Sequence, residues 1–176
     1  MEKQISEIPA AAGGVPVRDK KIYYGHQDLD EADYRAVLDL LKSGDDLTCG
    51  PKIGELEDKL CRVTGAGHAV AVSNGTAALH VACLAAGIGP GDEVITTPIT
   101  FAASANCVLY CGGRPVFADV DDRTYNIDPE SVRSHITERT RAVIAVDYTG
   151  QSVDLKALRK ICDEHHLLLI TDSAQS

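Results

Sequence analysis

The second half of the chain alternates between short apolar segments and longer amphipathic ones, and this alternation is the strongest constraint on its fold. The apolar segments are HAVAVS (68–73), EVITT (93–97), RPVFADV (114–120), RAVIAVDY (141–148) and LLLITD (167–172). They are nearly continuous apolar runs, which is typical of parallel strands covered on both faces by helices. The sequence therefore predicts an α/β fold, a three-layer structure with a mostly parallel sheet.

The amphipathic segments between these strands predict helices at 75–87, 101–113, 128–136 and 154–166. Asp128 followed by Pro129 is a typical helix start, with the carboxylate as N-cap. Upstream, residues 1–22 are predicted to be a loose segment without periodicity. Two further helices are predicted, one within 28–44 that ends at Gly44 and one at about 53–63.

Ligands of parallel sheets bind beyond the carboxyl ends of the strands, so the residues that follow each strand are candidates for a site. Gly75, Thr76 and Ala77 open a helix directly after the first strand segment. The free N–H groups of a helix start form an anion site, and phosphate is its usual ligand. The alternative is that Ser73, Asn74 and Thr76 only cap this helix.

Two further side chains follow predicted strands. Phe101 could stack on a flat ring, or it could be a core residue that covers the sheet. Asp172 ends the segment LLLITD, where a carboxylate is poorly solvated and requires a cationic or hydrogen-bonding partner. A heterocycle with a protonated ring nitrogen would be such a partner, and an N-cap role for a following helix is the alternative.

Composition excludes several classes of partner. The net charge is −9 and no Lys/Arg-rich run occurs, which argues against nucleic acid and anionic membranes. No apolar stretch reaches the roughly 18 residues of a membrane span, and the N-terminal residues do not resemble a secretory signal. The six cysteines form no C-x-x-C pair, so no metal site is predicted. A cytoplasmic protein is expected.

Several segments together resemble the pyridoxal-phosphate-dependent sugar aminotransferases of the DegT/StrS type. They are LTCGPKIGELEDKL (47–60), SNGTAALH (73–80), GDEVITTPITFAASAN (91–106), GGRPVFADVD (112–121) and TDSAQS (171–176). The similarity spans about residues 22–176. Within the family, LTCGPK, ITTPITFAASAN and VDYTGQSVD are most similar to the transaminases of pseudaminic acid synthesis, which aminate carbon four of a UDP-linked 4-keto-6-deoxy-N-acetylhexosamine.

The resemblance implies roles for individual residues around pyridoxal 5′-phosphate. Gly75, Thr76 and Ala77 would bind the cofactor phosphate, and Phe101 would stack on the pyridine ring. Asp172 would pair with the pyridinium nitrogen, which makes the ring an electron sink, and Gln175 would hydrogen-bond near the ring hydroxyl. The pocket for the sugar nucleotide would be lined by Tyr24, Asp45, Asp46, Leu47 and Thr48.

The resemblance also implies that the complete enzyme is longer than these 176 residues. The family's Schiff-base lysine lies beyond the D-x-A-[QH] motif, so its position is expected after Ser176. Residues 23–176 would then be an incomplete large, cofactor-binding domain of the fold type I transferases, truncated and without the small C-terminal domain, and the chain alone would be inactive. The enzyme is expected to be a homodimer with glutamate as the amino donor. The alternatives are a sugar dehydratase with a histidine in place of the lysine, and a non-catalytic cofactor-binding regulatory module.

Overall fold

The computed structural model describes residues 8–20, 22–23 and 25–176. The chain divides into two compact units, Met1–Gly54 and Glu55–Ser176. No helix in the described part of the chain combines the length and the apolar character needed to cross a membrane.

The first unit contains a short 3₁₀ turn, Ala10–Ala12, and helix α1, Glu31–Ser43. Asp30 caps α1, because its carboxylate accepts hydrogen bonds from the amides of Ala32 and Asp33. The helix ends at Gly44, whose φ of 82° is a left-handed conformation that favours glycine. The predicted helix and its predicted end are confirmed. Helix α2, Pro51–Thr64, follows and matches the second predicted helix.

The second unit is built on a sheet of four parallel strands in the order β2-β1-β3-β4. The strands are β1 (Glu93–Thr96), β2 (Arg114–Phe117), β3 (Thr140–Val146) and β4 (Leu168–Asp172). The helices between them are α3 (Gly75–Ala85), α4 (Ala103–Tyr110), α5 (Pro129–Ser134) and α6 (Leu155–Glu164). Asp128 caps α5 and Pro129 is its first residue, as predicted.

Two apolar clusters, one on each face of the sheet, establish the three layers. Successive residues of β3 alternate between them: Ala142 and Ile144 pack with α3 and α4, whereas Val143 and Ala145 pack with α5 and α6. All four side chains are fully buried. The predicted three-layer α/β fold with a parallel sheet is confirmed.

The predicted strand at 68–73 is wrong. These residues pair with no strand among the described residues, and the side chain of Val70 is 70% exposed. A backbone without a neighbouring strand must satisfy its polar groups elsewhere. The amide of Ala71, for example, donates a hydrogen bond of 2.8 Å to the Glu57 carboxylate.

A buried carboxylate ties the amino-terminal end of the sheet together. Glu93, the first residue of β1, is 1% exposed. It accepts hydrogen bonds from the guanidinium groups of Arg114 and Arg139 and from the Thr137 hydroxyl at 2.7 Å. These donors, Arg114 foremost, lower the pKa of Glu93 to about 2.

Candidate functional site

A cavity of about 310 Å³ opens at the carboxyl ends of β3 and β4, which is where ligands of parallel sheets bind. Its walls are the start of α3, residues 100–103, the end of β3 and the turn after β4. Five of the six residues predicted to bind the cofactor line it, namely Gly75, Thr76, Phe101, Asp172 and Gln175. The structure therefore brings together residues that lie up to 100 positions apart in the sequence, from Gly75 to Gln175.

The start of α3 combines a side-chain cap with free backbone donors. The Asn74 side chain accepts a hydrogen bond of 2.9 Å from the amide of Ala77, so the capping interpretation is confirmed for Asn74. This hydrogen bond occupies the Ala77 amide. The amides of Gly75 and Thr76 donate to no group within the described residues. A Cβ atom at Gly75 would lie 3.7 Å from that of Ala174, which places the helix start against the turn after β4. Two free amides and a helix dipole remain for an anion.

Phe101 lies in the turn between β1 and α4 and is 75% exposed. The alternative of a core phenylalanine is therefore wrong. An apolar ring that is left this exposed at the rim of a cavity offers its face to a ligand.

Asp172, the last residue of β4, is buried at the base of the cavity with 9% exposure. Its Oδ2 accepts a hydrogen bond of 2.7 Å from the Ser104 hydroxyl, and its Oδ1 accepts one of 3.3 Å from the Ala174 amide. The predicted hydrogen-bonding partner is thus present. The Ala174 amide lies in the turn after β4, and the alternative of an N-cap for a following helix stays a prediction.

A second carboxylate, which the sequence analysis did not select, lies beside Asp172. Asp147 directly follows β3, lines the same cavity and is 9% exposed. Its Oδ1 accepts from the Val153 amide at 3.0 Å, and its Oδ2 accepts from the Ser173 and Ser176 hydroxyls. The available signal was an acidic residue after a buried strand, the same signal that identified Asp172.

The charges of the cavity favour a ligand with a particular distribution of charge. The described side chains that line it include two carboxylates, those of Asp147 and Asp172, and no basic group. Buried carboxylates without a basic neighbour favour a cationic group, whereas the helix start nearby favours an anion. A flat ring with a protonated nitrogen and a phosphate, the pyridoxal phosphate type of cofactor, fits this arrangement.

Four of the five residues predicted to bind the sugar nucleotide lie in the first unit, in the loop between α1 and α2. Asp45, Asp46, Leu47 and Thr48 are all exposed. The Thr48 hydroxyl and amide both donate to the Asp46 carboxylate, at 2.6 and 2.8 Å, and lower its pKa. Tyr24 lies outside the described residues. The role of all five in substrate binding stays a prediction.

No cluster of potential metal ligands occurs among the residues that the structure describes. The predicted absence of a metal site concerns the whole chain and stays a prediction.

Comparisons with known proteins point to one family. The chain is 43% identical over 148 residues to the UDP-4-amino-4-deoxy-L-arabinose–oxoglutarate aminotransferase of Shewanella sediminis, a match that covers 84% of this chain and 38% of the relative. It is similar to the structure of Helicobacter pylori PseC, an aminotransferase involved in the biosynthesis of pseudaminic acid, with a TM-score of 0.78, 36% identity, and coverage of 86% of this chain and 41% of that one.

The structure of NtdA from Bacillus subtilis, which contains bound pyridoxamine phosphate, matches with a TM-score of 0.77 and 32% identity, over 81% of this chain and 33% of that one. The chain spans about two fifths of the length of the curated relatives it matches. Residues 27–176 match the model of the DegT/DnrJ/EryC1/StrS aminotransferase family. The chain therefore belongs to this family of aminotransferases.

Proposed function

We propose that the protein transfers an amino group from an amino acid to a keto group of a nucleotide-linked sugar. Its family depends on pyridoxal phosphate. The relative from Shewanella sediminis is named as an aminotransferase of a UDP-linked sugar with oxoglutarate as co-substrate. That name supports a nucleotide sugar as acceptor and glutamate, the aminated form of oxoglutarate, as donor.

One observation carries the proposal for this chain's own residues: a buried carboxylate without a basic neighbour shares a cavity with a helix start that has free amides. The amides of Gly75 and Thr76 would hold the cofactor phosphate, and the exposed face of Phe101 would stack on the ring. Asp172 would hold a proton on the ring nitrogen. When bound, the cofactor would supply an electron-withdrawing ring, and a carbon attached to that ring would carry the amino group between the two substrates.

Ala77 was also predicted to bind the phosphate, but its amide donates to Asn74, so we do not assign that amide to the phosphate. The other predicted residues complete the proposal. Gln175 lines the cavity in the turn after β4, and we assign it to a hydrogen bond near the ring hydroxyl. Tyr24 and the loop Asp45–Thr48 are assigned to the sugar nucleotide.

The finer proposal concerns the substrate and the assembly. The similarity to PseC, an aminotransferase involved in pseudaminic acid biosynthesis, supports the narrower resemblance of LTCGPK, ITTPITFAASAN and VDYTGQSVD. That resemblance implies a UDP-linked 4-keto-6-deoxy-N-acetylhexosamine that is aminated at carbon four. We further propose that the protein acts as a homodimer, in accordance with the resemblance of its motifs to those of the family.

A binding experiment tests the role of Asp172. Asp172→Asn keeps the shape of the side chain but removes the charge that would pair with the ring nitrogen. Hydrogen bonds to charged groups contribute about 1.5–3 kcal/mol, so we expect the affinity for pyridoxamine 5′-phosphate to fall about 10- to 100-fold, as measured by equilibrium dialysis. Asp122→Asn, at an exposed position outside the cavity, is the control and should bind as the wild type does. Equal affinities of both variants would contradict the assignment.

We propose that activity requires the Schiff-base lysine expected after Ser176, so it is tested on the full-length enzyme with L-glutamate, pyridoxal phosphate and the UDP-linked keto-sugar, and residues 1–176 alone should form no product. Mass spectrometry should detect a product in which an amino group replaces the keto oxygen. A protein that binds the cofactor but aminates no nucleotide-linked keto-sugar would overturn the substrate class without affecting the cofactor assignment.

A further inference from the structure

We propose that Ser104 is a positioning residue for Asp172, and that it is itself held by a hydroxyl chain that begins at Thr100 on the cavity wall. This inference rests on the proposed function, because it concerns how the cavity presents one carboxylate to a cofactor. Nothing in the sequence connects these residues, since Ser104 precedes Asp172 by 68 positions.

The contacts form a continuous chain. Ser104 lies in the first turn of α4, and its side chain is fully buried. Its Oγ is 2.7 Å from Asp172 Oδ2 and 2.8 Å from Thr100 Oγ1. Thr100 lines the cavity. A buried hydroxyl therefore joins the wall of the cavity to the carboxylate at its base.

The number of available protons fixes which hydroxyl donates in each hydrogen bond from Thr100 to Asp172. A serine hydroxyl has one proton to donate, and a carboxylate only accepts. The carbonyl of Phe101 is the other acceptor near Ser104, but at 3.3 Å it is farther away than the carboxylate. The Ser104 proton therefore points to Asp172, and Thr100 must be the donor in its contact with Ser104.

The consequence is an asymmetric carboxylate. Oδ2 of Asp172 is held by Ser104, whereas Oδ1 has only the long contact with the Ala174 amide and keeps capacity for a ligand. Asp147 differs, because Val153, Ser173 and Ser176 occupy both of its oxygens. The structure thus leaves one of its two cavity carboxylates available and fixes the orientation of that one through Ser104.

Two ligands separate this role from a merely structural one. The first is pyridoxamine 5′-phosphate, and the second is its analogue in which a CH group replaces the ring nitrogen. The wild type should bind the first at least tenfold more tightly. In Ser104→Ala this preference should fall to about threefold or less, while the affinity for the analogue changes less than about twofold. Ser104→Thr, which keeps a hydroxyl, should retain most of the preference.

A matched control lies one turn along the same helix. Cys107 is also fully buried, but its side chain hydrogen-bonds to Cys83 and to the Ser104 carbonyl and not to Asp172, so Cys107→Ala should lower stability without changing the ligand preference. Thr100→Val removes only the first donor of the hydroxyl chain and should reduce the preference for pyridoxamine 5′-phosphate over its analogue about two- to threefold. This variant tests the hydroxyl chain even if Ser104→Ala does not fold.

The outcomes are distinguishable. The inference would be overturned if Ser104→Ala and Thr100→Val both kept the wild-type preference for pyridoxamine 5′-phosphate over its analogue. It would also be overturned if these variants lost affinity for both ligands equally. Either result would leave the proposed function intact. A wild-type protein that binds neither ligand, or both equally, would overturn the proposed function and this inference with it.

Discussion

At the scale of single residues, the exposure of Phe101 is the clearest sign of a ligand-facing side chain. The chain contains two phenylalanines, Phe101 and Phe117, which are 75% and 49% exposed. Only Phe101 lines the cavity, whereas Phe117 ends β2. The pair therefore allows the effect of a ring at the cavity to be separated from the effect of losing any phenylalanine.

We expect Phe101→Ala to lower the affinity for pyridoxamine 5′-phosphate about three- to tenfold, because aromatic stacking contributes about 0.5–1.5 kcal/mol beyond the burial of area. Since the side chain is mostly exposed in the free protein, the free energy of unfolding should change by less than about 0.5 kcal/mol. Equilibrium dialysis and urea unfolding measure the two quantities. Phe117→Ala should leave the affinity unchanged, and a similar loss of affinity in both variants would argue against stacking.

The sequence allowed Asp172 to be selected, but not the residues that support it. An acid at the end of a buried strand is visible in the sequence, and so is its need for a partner. Which partner it has depends on how α4 packs on the sheet, and this places Ser104 next to it across 68 positions. Asp147 gave the same strand-end signal, and it was overlooked because the predicted strand extended two residues too far, to Tyr148.

At the scale of elements, two helices of the second unit begin in the same way but in different surroundings. Asn74 caps α3 through the amide of Ala77 at 2.9 Å, and Asp128 caps α5 through the amide of Glu130 at 3.0 Å. The start of α3 lines the cavity, whereas α5 does not contribute to it. A cap next to the proposed phosphate site can therefore be compared with a cap that serves stability alone.

Asn74→Ala and Asp128→Ala should each lower the free energy of unfolding by about 1 kcal/mol, because each leaves a helix amide without its acceptor. Only Asn74→Ala should also weaken the binding of pyridoxamine 5′-phosphate, by about threefold or more, because fraying of α3 misplaces the amides of Gly75 and Thr76. Urea unfolding and equilibrium dialysis measure the two effects. Unchanged binding in Asn74→Ala would separate the helix start from the phosphate.

Most elements could be predicted because helical periodicity and continuous apolar runs are local properties. The segment 68–73 shows the limit of such patterns. Its sequence is as apolar as those of the true strands, but a strand also requires a neighbour for its backbone groups. Local sequence does not specify that neighbour, and in the described structure Val70 is exposed and the Ala71 amide turns to Glu57 instead.

At the scale of the whole molecule, the amino-terminal end of the sheet holds a carboxylate that stabilises the fold, and the carboxyl end holds one that faces the cavity. Glu93 pairs in register with Thr140, and Asp172 pairs with Val146, six residues farther along β3. At about 3.3 Å per residue, the two carboxylates are about 20 Å apart along the strands. One is saturated with protein donors at the amino-terminal end, and the other faces the cavity. Stability and ligand binding should therefore respond to separate substitutions.

Acid unfolding tests this separation. The pKa of Glu93 is about 2 in the folded protein, below its ordinary value of 4.5, so the unfolded chain binds the proton more tightly. The ion pairs of Glu93 therefore stabilise the fold fully above pH 4.5, and this contribution is lost as the pH falls from 4.5 towards 2. In Glu93→Gln the urea midpoint should be lower at pH 7, and its decrease between pH 4.5 and 2 should be smaller than in the wild type.

Glu138→Gln is the matched control, because Glu138 lies near the same end of the sheet but is exposed. It should show the acid dependence of the wild type. At pH 7, Glu93→Gln should still bind pyridoxamine 5′-phosphate with wild-type affinity, because the substituted side chain lies about 20 Å from the cavity along the strands. A loss of affinity in Glu93→Gln while the protein remains folded would show that the two ends of the sheet are coupled. An unchanged acid profile would show that the stability of the amino-terminal end does not depend on this carboxylate.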